Sequence, residues 1–197
     1  MNRESNKWEK LTAFSTMALA GFALIALVVA YRQILEFHNA TQAQHLHEVV
    51  DQFDNGPISA TLRALATKRV DQKRETLKSL DTDDPPMEMY DVLDFFEYVA
   101  LLTKRGYLDK NDVWEMFSFS MFSIYADARP LIDDDQKSDP SQYAGFSSLM
   151  VDMQQIEAKE NRSADDHPSP KDIYLFYLGQ AGAKAGSLPT RGPRTKK

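Results

Sequence analysis

Cysteine is absent from this 197-residue chain. That excludes disulfides, thiolate metal sites, cysteine nucleophiles and cysteine-ligated iron–sulfur clusters. It does not fix a compartment, because a disulfide-free chain can reside anywhere. An excess of basic charge is also missing. Lys+Arg number 23 against 29 Asp+Glu, a formal charge of −6. Generic nucleic-acid binders lean basic, so no nucleic-acid partner is expected. Alternating strand patterns and 20–50-residue repeats do not occur. Nor is there a P-loop, a Rossmann glycine pattern, a nucleophile elbow, an HExxH pair or the ExxH pairing of di-iron bundles. No cofactor is therefore expected.

The chain does hold one long uncharged run, residues 11–31, LTAFSTMALAGFALIALVVAY. As a helix it spans about 31 Å, the thickness of a bilayer core. Its Leu, Ile, Val and Phe positions each favour insertion by about 0.3–0.6 kcal/mol. Trp8 and Tyr31 flank it, where amphipathic rings suit the headgroup zone. The run exceeds the usual core of a signal peptide, so an uncleaved anchor is expected. Arg3, Lys7 and Lys10 precede it, and Arg32 alone follows closely. That bias favours a cytoplasmic N-terminus and an exported body, with the lipid bilayer as first partner. Thr16, Ala20, Ala23, Ala26 and Ala30 place small residues along the span. Such positions let two helices approach closely, which suggests a homo-oligomer through this segment.

The rest reads as all-α. The expected organisation is a tail at 1–10, a transmembrane helix at 11–31, a juxtamembrane helix at 32–55, a helical domain at 56–188 and a basic disordered tail at 189–197. The whole is an N-terminal transmembrane helix extending into a compact bundle of about five to six helices. Asn55-Gly56-Pro57 stops the first helix. A second is expected from Ser59 to Leu80. The third, Met87 to Lys104, is the most apolar and should be central. Asp109 caps the fourth, which Arg129-Pro130 should end or kink. Residues 131–142 read as acidic and irregular. Ser169-Pro170-Lys171-Asp172 opens a last short helix.

Candidate chemistry is sparse. Glu97 is the best catalytic candidate, because a carboxylate on the apolar third helix would have a raised pKa if buried. An ion pair with Arg105 or Arg129 competes with that reading. His45 and His47, with Glu48 and Asp51, are weak metal candidates, since two ligands do not make a site. Asp133, Asp134, Asp135 and Asp139 lack the glycine and glutamate of a calcium loop. Arg63, Lys68, Arg69, Lys73, Arg74 and Lys78 make the second helix basic, a candidate for anion or lipid contact. Residues 81–172 carry 21 acids against 8 bases, so packing beside this acidic region is the simpler role.

Three segments taken together resemble a known family: VVDQFDNGPISATLRAL (49–65), VLDFFEYVALLTKRGYLDKNDVWEMF (92–117) and IYADARPLI with YAGFSSLM (124–150). They are similar to the bacterial single-pass proteins grouped as domain-of-unknown-function family 4760. The likeness spans about residues 11–155 and centres on FFE (95–97) and the Gly-Tyr-Leu-Asp turn (106–109). It implies a membrane helix followed by a compact helical domain, and no assigned activity. Family members often carry a tryptophan beside the tyrosine late in the fourth helix; here Ile124-Tyr125-Ala126 stands at that place.

The functional expectation is a helical interaction module for a membrane or envelope protein partner. Tyr90, Phe95, Tyr98, Trp114, Phe119 and Phe122 are candidates to line its groove. The alternatives are a membrane-anchored hydrolase using Glu97, or an anionic-lipid sensor using the basic helix 63–78.

Overall fold

The computed structural model describes residues 5–71, 75–159 and 168–182. The fold is all-α, as expected. Helices α1 (Ser5–Asp54), α2 (Pro57–Arg69), α3 (Met87–Lys104), α4 (Lys110–Ser138), α5 (Ala144–Lys159) and α6 (Pro170–Gln180) account for nearly all of the structure. The exception is a minimal antiparallel pair, β1 (Val70–Asp71) with β2 (Thr76–Leu77), in which Val70 faces Leu77 and Asp71 faces Thr76. The chain divides into two units, residues 1–43 and 44–197.

In the first unit the apolar side chains face outward. Met17, Leu19, Phe22, Leu24, Ile25, Leu27, Val28 and Val29 are all between 49 and 74% exposed. Among the described residues one helix, α1, is long and apolar enough to cross a membrane.

In the second unit the same residue types are buried. Helix α3 supplies Met89, Val92, Leu93, Phe96 and Val99 to the core, each fully buried. Spacings of three and four put these on one stripe. The helix ends at Gly106, whose φ of +77° takes the left-handed conformation that glycine adopts without a Cβ penalty. Phe53 of α1 stacks on Phe95 and meets Phe96 and Phe117, so the last turns of α1 are seated among α3 and α4. Phe146 of α5 stacks on Phe96 at 5.3 Å. Helix α3 packs chiefly against α2 and α5, which makes it central.

Two elements depart from the sequence expectation. Helix α2 stops at Arg69 rather than continuing to Leu80. Val70 is extended, and the Lys78 N–H donates to the Arg69 carbonyl at 2.8 Å, closing the hairpin. Burial of Val70 and partial burial of Leu77 favour the turn-back over a solvated helical continuation. Helix α4 runs through Pro130 to Ser138, where a break and an irregular loop were expected. An internal proline costs a helix about 3 kcal/mol. Full burial of Leu131 and Ile132, the next two residues, offsets it by about 1.5–3 kcal/mol for each side chain.

Candidate functional site

Two carboxylates join helices that are far apart in sequence. The first is Glu97, on α3. Its Oε1 accepts from the Gly145 N–H at 3.0 Å and its Oε2 from the Phe146 N–H at 2.6 Å. These are free N–H groups in the first turn of α5, which carries no acid of its own there. Glu97 thus supplies, from another helix, the anionic cap that α5 lacks. Two neighbours make this possible. A Cβ on Gly145 would collide with the Glu97 carboxylate. Tyr143, just before α5, holds φ at +53°, a costly conformation for a bulky residue, and its side chain is buried. Burial pushes its phenol up to about 12, and nearby Asp94 and Asp135 add to the shift. Neither Arg105 nor Arg129 is the partner of Glu97. Arg129 binds Asp133 at 2.7 Å and the Tyr125 hydroxyl at 2.7 Å.

The second joint is Arg69 of α2 with Asp127 of α4. Arg69 donates from Nε to Oδ2 at 2.9 Å and from Nη2 to Oδ1 at 2.5 Å, a two-pronged pair. Both residues are buried. The Tyr177 phenol of α6 lies against this pair. Burial pushes its titration well above the ordinary value, and the Asp127 charge adds to that. The hydroxyl faces the Asp127 carboxylate without a hydrogen bond of good geometry. Ser123, one turn before Asp127, also buries its hydroxyl without a partner.

The remaining sequence candidates are dispersed. His45 lies 3.6 Å from Glu48 and against the Tyr107 ring; His47 is exposed, and Asp51 accepts from Asn55 instead. No group of three ligating side chains is gathered among the described residues. Of the basic residues, Arg69 is buried as above, and Lys68 binds Glu88 at 2.6 Å, which holds that carboxyl below its usual range. Arg63 is exposed and reaches Ser59, and Lys78 is exposed. Lys73 and Arg74 lie outside the described residues. Asp133 and Asp134 pair with Arg129 and Lys137 within α4. Burial and the neighbouring Asp134 push the Asp135 carboxyl up. Phe95, Trp114 and Phe122 are buried and Tyr90 half-buried, so these four pack into the core; Tyr98 and Phe119 are the exposed members of that set. Thr16, Ala23, Ala26 and Ala30 are exposed on α1, whereas the side chain of Ala20 lies outside the described residues, as does the basic tail 189–197.

The Arg69–Asp127 pair was legible in principle. Asp127 falls on the same face of α4 as Ile124 and Leu131, and Arg69 on that of Leu62, Leu65 and Ala66. A charge on an apolar stripe calls for a buried counter-charge. Gly145 carried no signal in its own segment, because the side chain it avoids belongs to α3.

No curated protein and no solved structure matches the chain. A family model does, over residues 20–153, from within the apolar run of α1 to within α5, about two thirds of the chain. On that match the chain belongs to the family described as domain of unknown function DUF4760.

Proposed function

We propose that this chain is a single-pass membrane protein of the bacterial inner membrane whose helical domain acts by binding a membrane or envelope protein. The observation that carries the reading is the outward-facing apolar run of α1. Left in water, that surface would drive aggregation; in a bilayer the same side chains stabilise insertion. The charge bias of Arg3, Lys7 and Lys10 over Arg32 supports a cytoplasmic N-terminus and an exported domain. The small residues Thr16, Ala20, Ala23, Ala26 and Ala30 support self-association of the span.

A binding role is favoured over hydrolysis because Glu97 has both oxygens engaged by backbone N–H groups. Held that way at the α5 N-terminus, the carboxylate serves as a cap between helices. Lipid sensing through the basic helix is favoured less, since Arg69 is buried and Lys68 is paired. Alkaline carbonate extraction, with a periplasm-active phosphatase or a cytoplasm-fluorescent reporter fused after Lys197, tests the proposal. The expected result is retention in the membrane pellet with phosphatase activity. Release into the carbonate supernatant removes the anchor, and fluorescence reverses the orientation.

A further inference from the structure

The apolar pattern of α1 does not end with its uncharged run. Beyond Tyr31 the helix turns polar, with Arg32, Gln33, Glu36, His38 and Asn39. Two large apolar side chains interrupt that polarity: Ile34 is 66% and Phe37 76% exposed. The bilayer core does not account for them. Phe37 stands about 9 Å of helix past Tyr31, beyond a run that already fills the hydrocarbon. Moving the span outward to cover it would carry Arg32 and Glu36 into hydrocarbon as well. Ile34 and Phe37 instead fall in a register. Ala23, Leu27, Ala30, Ile34, Phe37 and Thr41 follow one another at alternating steps of four and three, the a and d positions of a heptad. Thr16 and Ala20 continue that register towards the N-terminus. A lone helix repeats every 3.6 residues; a seam that keeps to 3.5 is what two supercoiled helices share. The positions beside the seam hold no Asp, Glu, Lys or Arg: Tyr31 and His38 stand at e, and Ala26, Gln33 and Ala40 at g. Arg32 and Glu36 take outer positions. Identical helices therefore meet along this seam with no like charges opposed, and the seam offers no charge that would select a foreign helix.

We infer that the Leu27, Ile34 and Phe37 face of α1 is the contact between two copies of this chain, a parallel left-handed coiled coil that begins in the membrane and continues beyond it. This rests on the reading of α1 as a self-associating anchor, and adds which face makes the contact and how far it runs. Copies inserted by one rule share one orientation, so the pair is parallel. In a parallel pair the g position of one helix faces the next e position of the other, which sets Gln33 opposite His38 of the partner subunit, a pair able to hydrogen-bond.

The chain has no cysteine of its own, so single substitutions report the contact without background. Full-length chains carrying Ile34→Cys, Phe37→Cys, Glu36→Cys or Asn39→Cys are expressed in a bacterial host, and their membranes are oxidised with copper phenanthroline. Disulfide-linked dimer from Ile34→Cys and Phe37→Cys should exceed that from Glu36→Cys and Asn39→Cys by about fivefold or more, because only seam positions bring two Cβ atoms within bonding distance. A cysteine also alters the seam it reports on, so a second series reads from Thr41→Cys. Adding Phe37→Lys should cut its dimer by about fivefold, whereas adding Asn39→Lys should leave it unchanged. Equal or absent linking at the four positions, or a Thr41→Cys dimer indifferent to Phe37→Lys, would overturn the inference. A seam-selective adduct with another protein in place of the dimer would overturn the second copy as occupant. Carbonate extraction of the same variants reads the anchor separately. Retention with unselective linking removes the pair and keeps the anchor; release with seam-selective linking keeps the pair and removes the anchor.

Discussion

The two units of this chain use the same side chains in opposite ways. In residues 17–29, leucine, isoleucine, valine and phenylalanine point outward. Among the described residues of the second unit most of those residue types are buried around α3. Secondary structure is helical in both, so helicity does not distinguish them. The difference lies in where polar groups fall. The second unit alternates apolar stripes with charged faces, and the buried Arg69 and Asp127 pair with each other. The first has no charge between Leu11 and Tyr31 and therefore no face suited to water. One unit brings its own core; the other turns its apolar side chains outward, as the proposed anchor would.

Charging the first unit should separate the two most sharply. Leu24→Lys with Leu27→Lys replaces two favourable insertion contributions by two penalties of about 2.5–3.5 kcal/mol each. Membrane retention should be lost, while the melting transition of the helical domain stays in place. A shared loss would mean that the two units do not fold independently.

Within the second unit, Asp127→Ala should cost about 3–5 kcal/mol, because it strands the buried Arg69 guanidinium. Arg69→Met combined with Asp127→Leu should recover most of that loss in denaturant titration. Recovery would show that the pair joins α2 to α4 without being needed for net stability.

Gly145→Ala and Glu97→Gln act on the other joint, each by about 1–3 kcal/mol. The alanine displaces the Glu97 carboxylate, and the glutamine withdraws its charge from the α5 N-terminus. Their double mutant should cost less than the sum, because both break one contact. Strict additivity would argue against the cap.

The smallest effects concern pH. The folded-state titrations of Tyr143 and Tyr177 are raised. Above pH 10 the folded chain therefore holds more protons than the unfolded chain, and stability falls as pH rises. Tyr177→Phe should flatten this alkaline limb and leave neutral stability the same or slightly higher. Asp135 has a raised carboxyl as well, so its ionisation opposes folding once pH passes the ordinary carboxylate range. Asp135→Asn should stabilise slightly at neutral pH and not near pH 3.

Much of this architecture was legible in residue spacing. The stripe of α3, the Asp109 cap and the Ser169 capping box were each readable locally and stand in the structure. The misread boundaries share one cause. Arg69 looked like part of a solvated basic helix, but its charge is drawn inward by Asp127, 58 positions away. Pro130 looked like a terminator, but burial of Leu131 and Ile132 carries α4 past it. Glu97 stood out as a polar residue on an apolar helix. Its partners could not be read, because backbone N–H groups have no letter in the sequence.

The most direct test of the account is carbonate extraction of the full chain against the Leu24→Lys/Leu27→Lys variant, with phosphatase fused after Lys197. The account predicts a membrane-retained, phosphatase-active parent and a released variant. Equal release of both would contradict it, since the exposed apolar run of α1 would then have no bilayer to occupy.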